Sequence, residues 1–190
     1  MSPVGEVLSA LAEAFSETGT PWYVFGAQAV AARAAPRATQ DVDVTAQVPR
    51  PILPRLIAAL EARGLEHRFP DIADELMESG AVLPLVHVPS GMDVDLVLAG
   101  SGLEDHVLGN ATPLPIEGVE VPVASATDLV VLKILAGRGK DLEDAAALLA
   151  TGDVDVAAAR SLLSQLEEAL AQSDLVPRLE ALLQNTPKYR

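Results

Sequence analysis

Apolar positions near the start of the chain recur at helical spacing, with Val7, Leu8, Leu11, Ala12 and Phe15 on one face. The pattern predicts an amphipathic helix over Val4–Thr18, ended by Gly19-Thr20-Pro21. The period then changes. Trp22-Tyr23-Val24-Phe25 is a short unbroken apolar run that reads as a buried strand, and Gly26 follows it directly. Ala27–Ala34 is Ala-rich and predicts a helix, stopped before Pro36 because proline pushes its predecessor out of the helical region. Beyond a loop over residues 35–40, Asp41–Gln47 alternates polar and β-branched residues, the period of a second strand.

Pro51–Arg63 is again amphipathic and ends at Gly64. Leu65–Phe69 predicts a short strand, and Asp71–Ser79 a short helix closed by Gly80. The apolar runs Ala81–Val88 and Met92–Leu98 flank Pro89-Ser90-Gly91, the turn chemistry of an antiparallel hairpin. Residues 100–124 are rich in Gly and Pro, with weak strands at Thr112–Ile116 and Val119–Val123.

From Ser125 onward the pattern is helical. Ser125 is an N-cap with Asp128 three residues on, opening a helix over Ala126–Ala136. Lys140–Ala150, Asp155–Ala171 and Leu175–Leu183 follow. Leu162, Leu163, Leu166 and Leu170 form a stripe that faces either the core or a partner. The expected class is α+β: a mixed β-sheet flanked by helices over residues 1–124, then a C-terminal helical region over 125–190 packed on that core.

Composition narrows the function. The 190 residues suit one domain with a helical appendage, and 49% hydrophobic content supports a proper core. No uninterrupted apolar run reaches membrane-spanning length, and the N-terminus lacks the basic and apolar regions of a signal peptide. Cys is absent, which excludes disulfides and thiolate metal sites. Cytoplasmic placement is the expectation. A net charge of −14 disfavours a broad nucleic-acid or anionic-membrane surface, and 3% aromatics disfavour a base-stacking platform.

The candidate chemistry centres on Asp41 and Asp43. Side chains two apart on a strand share a face, so two carboxylates stand together there, with Arg37 the nearest base. A hard divalent cation such as Mg²⁺ resolves that repulsion. Gly26, at a strand-to-helix turn, lets backbone amides approach a phosphate at a helix N-terminus. A third carboxylate on a neighbouring strand would complete a site for displacement at phosphorus. Asp95, followed by Leu96-Val97-Leu98, is the preferred residue, and Asp93 on the same face is the runner-up.

Plainer readings exist for each residue: solvent-facing aspartates, an Arg37–Asp ion pair, a loop hydroxyl for Thr39, a snorkelling Lys133. Asp141 and Asp144 suit a helix's first turn. A further Asp-Val-Asp string at 153–155 precedes an Ala-rich helix and reads as its cap. His67, His87 and His106 lack metal-ligand spacing. Gly137-Arg138-Gly139-Lys140 lacks the spacing of a phosphate-binding loop.

Gly26 before a helix, Arg37-x-Thr39-x-Asp41-Val42-Asp43, and Asp95 on a later strand together resemble the DNA polymerase β-like nucleotidyltransferases. More narrowly, the chain is similar to the minimal bacterial type that includes the AbiEii-like toxins of toxin–antitoxin systems. Asp128–Asp144, with its Lys133-x₇-Asp141-x₂-Asp144 spacing, resembles the helix pair those proteins carry after the catalytic sheet.

The resemblance implies Mg²⁺-dependent transfer of a nucleoside monophosphate from an NTP, ATP among them, with release of pyrophosphate. Implied acceptors are a tRNA end, a protein or a small molecule such as an antibiotic, and the implied partner is a cognate antitoxin. Asp41, Asp43 and Asp95 would hold the metals in a two-metal site, and Asp95 would help activate the acceptor hydroxyl. Gly26 and Ala27 would line the triphosphate, Arg37 and Thr39 would complete the nucleotide site, and Lys133 would reach it from the helical part. The family usually carries Gly or Ser where this chain has Ala27, so one hydroxyl is missing while the N–H is kept. Two readings stay open: an active nucleotidyltransferase, and a non-catalytic member that binds a nucleotide or a partner.

Overall fold

A computed structural model describes residues 1–34, 41–73, 75, 76, 82–100 and 102–189. Helix α1 (Pro3–Thr18) begins where the Ser2 side chain accepts from the Gly5 N–H, and ends at Gly19 in the left-handed region. Its apolar stripe buries Val7, Leu8, Leu11, Ala14 and Phe15. The Phe15 ring lies 4.8 Å from that of Trp22, at the start of β1 (Trp22–Phe25), so Trp22 packs rather than presenting a stacking surface.

Helix α2 (Gly26–Arg33) follows β1 without a gap, and β2 (Asp41–Ala46) comes next among the described elements. Then come α3 (Leu53–Glu61), β3 (Leu65–His67), β4 (Val82–His87), β5 (Met92–Leu98), α4 (Gly102–Asn110), β6 (Thr112–Ile116) and β7 (Val119–Val123). The strands form one seven-stranded sheet in the order β3-β4-β5-β2-β1-β7-β6. It is mixed: β2 runs parallel to β5 and β1 parallel to β7, and the remaining pairs are antiparallel. Helices α1 and α3 pack on each other and on the sheet.

The expected hairpin is present, with His87 opposite Met92 across the turn. The two weak strands in the Gly- and Pro-rich stretch pair with each other from Thr112–Val123 to Ile116–Val119. Helix α4 is a departure from the sequence reading, which expects irregular chain there. Its only buried residue is Val107, and it carries Gly102 and Gly109, so it has neither an apolar stripe nor high propensity to reveal it. Glu104 and Asp105 in its first turn favour the helix dipole. Of the short helix expected over 71–79, the described part opens as a 3₁₀ turn, Pro70–Ile72, and most of the rest lies outside the described residues.

The chain divides into two compact units. One comprises Met1–Gln28 with Arg37–Ala124, the other Ala29–Pro36 with Ser125–Arg190. The division falls inside α2, so the helical unit takes in that helix's second half, which no pattern in the sequence marks. The second unit is built on α5 (Ala126–Ala136), which buries Leu129, Val130, Val131 and Ile134 against α6 (Gly139–Thr151), α7 (Val156–Leu170) and α8 (Leu175–Asn185). Ser125 caps α5 as expected, accepting from the Asp128 N–H at 3.0 Å. Asp155 caps α7 through the Ala158 N–H at 2.9 Å. Of the leucine stripe on α7, Leu163 is fully buried and Leu170 is exposed. Among the described residues, no helix is long and apolar enough to cross a membrane.

Candidate active site

The parallel pairing of β2 with β5 builds the site. Asp41 stands opposite Asp93, Val42 opposite Val94, Asp43 opposite Asp95 and Val44 opposite Leu96. Side chains alternate across a sheet, and partners in register share a face. Val42, Val44, Val94 and Leu96 are all fully buried on one face. The four carboxylates therefore gather on the other, with Asp41 exposed and Asp43, Asp93 and Asp95 half-buried. Neighbouring strands lie about 5 Å apart, where two like charges repel by roughly 1–3 kcal/mol at effective dielectrics between bulk water and a protein surface. Such a face needs cations.

Gly26 sets the depth of the site. Antiparallel pairing puts Phe25 opposite Asp43, so the next residue turns the chain beside the Asp43 side chain. Gly26 has φ +68°, and a Cβ built there would fall on the Asp43 carboxylate. Both observations require glycine. Asp43 thus rests against bare backbone at the start of α2, where the helix dipole favours negative charge. Ala27, the next residue, is 6% exposed. Gly26→Ala is expected to cost at least about 1–2 kcal/mol from the left-handed backbone alone, read as a lower urea midpoint. An unchanged midpoint would mean that neither the left-handed backbone nor the Asp43 contact constrains residue 26.

Arg68 is the cation that the sequence reading missed. It follows β3, and its N–H donates to the Pro84 carbonyl on β4 at 2.9 Å. From there its guanidinium reaches β5, donating from Nη1 to Asp93 Oδ2 at 3.0 Å and from Nη2 to Asp95 Oδ1. Its Nε is buried with no hydrogen-bond partner among the described residues. Nothing within a few residues of Arg68 signals this role. Only the pairing of β3 with β4 and of β4 with β5 brings it there.

Arg37 and Thr39 lie outside the described residues. Lys133 belongs to the helical unit and is 8% exposed. Its Nζ lies 3.1 Å from Asp141 Oδ1 and 2.8 Å from Asp144 Oδ2, and Arg138 also binds Asp141. Asp141 and Asp144 are therefore paired inside the unit, beyond the dipole role their positions suggest. Burial pushes the Asp141 carboxyl up, but the Arg138 and Lys133 hydrogen bonds outweigh it and hold the group below its ordinary value.

The family of nucleotidyl transferase AbiEii toxins, of type IV toxin–antitoxin systems, matches residues 9–187. No curated protein sequence matches the chain. In three dimensions the chain is similar to the antibiotic-resistance factor ANT(2'')-Ia, at 18% identity and a TM-score of 0.56 over 90% of this chain and 99% of that one. It is also similar to the lincosamide antibiotic adenylyltransferase LnuA with lincomycin bound, at 14% identity and a TM-score of 0.49 over 75% of this chain and 94% of that one. A third likeness is to an antigenic nucleotidyltransferase-like protein from Paracoccidioides brasiliensis, at 20% identity and a TM-score of 0.47 over 92% and 91% of the two chains. The first of these likenesses is one of fold, and it agrees with the mixed sheet and trailing helices. With nearly the whole length matched by the family, the chain belongs to the AbiEii nucleotidyltransferase toxins.

Proposed function

We propose that the carboxylate face of β2 and β5 transfers a nucleoside monophosphate from an NTP to an acceptor hydroxyl, with Mg²⁺ held by Asp41, Asp43 and Asp95. The observation that carries this reading is the register of Asp43 beside Asp95, with Gly26 pressed against the Asp43 carboxylate. The donors suit Mg²⁺: all are hard oxygens, on one sheet face, one strand apart. Among the described residues, no group of three or more carboxylate or imidazole side chains is gathered closely enough to hold a metal as it stands. In this reading the strand register brings the donors to one face, and side-chain rotation completes the site. When bound, the metal supplies charge neutralisation at the phosphate oxygens.

The chain's own groups do the rest. Amides at Gly26 and Ala27 face the triphosphate from the start of α2, with Arg37 and Thr39 as further phosphate partners. Asp95 takes the proton of the acceptor hydroxyl as that oxygen attacks the α-phosphorus. The bond to the bridging oxygen breaks, and pyrophosphate leaves with its electron pair. A cognate antitoxin is the partner implied by the family, and NTP supply makes the cytoplasm the site of action.

The test is incubation with each α-labelled NTP, ATP included, plus Mg²⁺ and separate tRNA, protein and antibiotic acceptors. Label is expected in one acceptor class. Calorimetric NTP binding without transfer to any of them would favour the second reading, a non-catalytic nucleotide binder. Ala27, which brings no hydroxyl to the phosphate, is the residue in that reading's favour.

A further inference from the structure

Arg68 and Asp93 have no part in the chemistry above, yet Arg68 occupies one oxygen of the third carboxylate. It reaches Asp95 from the β3 side of the sheet, whereas Asp43 lies beyond β5 on the opposite side. Asp95 thus stands between an internal cation and the pair with which it would share a metal. An arginine fork suits this position, because it bridges two carboxylates spaced two apart on one strand, which a point-like ammonium does less well. The buried Nε, which has no hydrogen-bond partner among the described residues, indicates that the placement is not chosen for stability alone, since an unmet buried donor carries a cost.

We propose that Arg68 is an internal competitor for the divalent cation at Asp95, and that Asp93 is its second anchor. Arg68 neutralises Asp95 before metal arrives. When metal takes Asp95, Arg68 stays on Asp93, held at the edge of the site instead of being released to solvent. Metal loading and Arg68 displacement are then one coupled equilibrium, which lowers the affinity of the unliganded protein for divalent cations. Asp93 is accordingly a positioning residue, not a metal ligand. This inference rests on the metal reading of Asp41, Asp43 and Asp95.

The test is Mn²⁺ binding, followed by electron paramagnetic resonance, to the full chain and to Arg68→Gln, Asp95→Asn and the double variant. Arg68→Gln is expected to tighten Mn²⁺ binding about tenfold, the equivalent of ~1.4 kcal/mol. The gain should vanish in the Asp95→Asn background, because the competition is for that carboxylate. A gain that persists there would be a general charge effect and would overturn the proposal. Equal affinity in wild type and Arg68→Gln would overturn it while leaving the metal reading intact. Absence of Mn²⁺ binding to both would overturn the metal reading and the competition together. Should Arg68→Gln fail to fold, the wild type decides by ¹⁵N guanidinium spectra. The Arg68 signal is expected to move in step with Mg²⁺ saturation, and a stationary signal overturns the proposal.

Discussion

Asp43→Asn is expected to lower nucleoside monophosphate transfer by about three orders of magnitude, or ~4 kcal/mol of transition-state stabilisation, while leaving the protein folded. Asp43 is the residue on which the site's contacts converge. It stands beside Asp95, shares a face with Asp41, and lies where a side chain on residue 26 would fall. Asn keeps the shape and removes the charge, so packing against Gly26 survives while the metal loses an anionic donor. The same change leaves the buried valine pairs of β2 and β5 untouched, so the protein should stay folded. Loss of activity with a retained midpoint separates a functional carboxylate from a structural one. Transfer within tenfold of wild type would sink the assignment of Asp43.

Lys133→Met is expected to destabilise the protein by about 3–5 kcal/mol, because removing one partner leaves buried charge without compensation. Asp141 is fully buried and Asp144 nearly so, and both bind the Lys133 ammonium. Urea denaturation gives the size of the loss. The pH dependence gives its cause. The Asp141 carboxyl is held below its ordinary value in the folded protein. The stability it contributes is therefore complete above the unfolded value, near pH 4, and is lost as pH falls toward the lower folded value. Wild type should lose stability on acidification through this range, and Lys133→Met should lose it less steeply, because the Asp141 group then rises. A stable Lys133→Met protein with a raised KM for NTP would instead return Lys133 to the triphosphate, the role that the family resemblance implies.

Local features of the fold were legible because they depend on neighbours in the chain. The alternation over Asp41–Val44, the Ser125 cap, the hairpin at Pro89-Ser90-Gly91 and the glycine after Phe25 all follow from backbone period, capping and turn chemistry. Helix α4 was not legible, because it buries only Val107 and so leaves no stripe in the sequence. The buried pairing of Lys133 was only half visible: the spacing to Asp141 and Asp144 could be read, but their burial follows from the packing of α5 on α6.

The sequence by itself determined that Asp41 and Asp43 share a strand face and that Gly26 precedes a helix. It did not determine which strand lies beside them or in what register. Tertiary structure decided that, through the buried partners Val42–Val94 and Val44–Leu96. A slip of one residue would turn valines outward and aspartates into the core, so apolar burial locks Asp43 to Asp95. Arg68 was beyond sequence reading for the same reason. An ion pair between residues 25 and 27 positions apart needs strands that are stacked side by side, and their order is settled by the packing of the whole sheet.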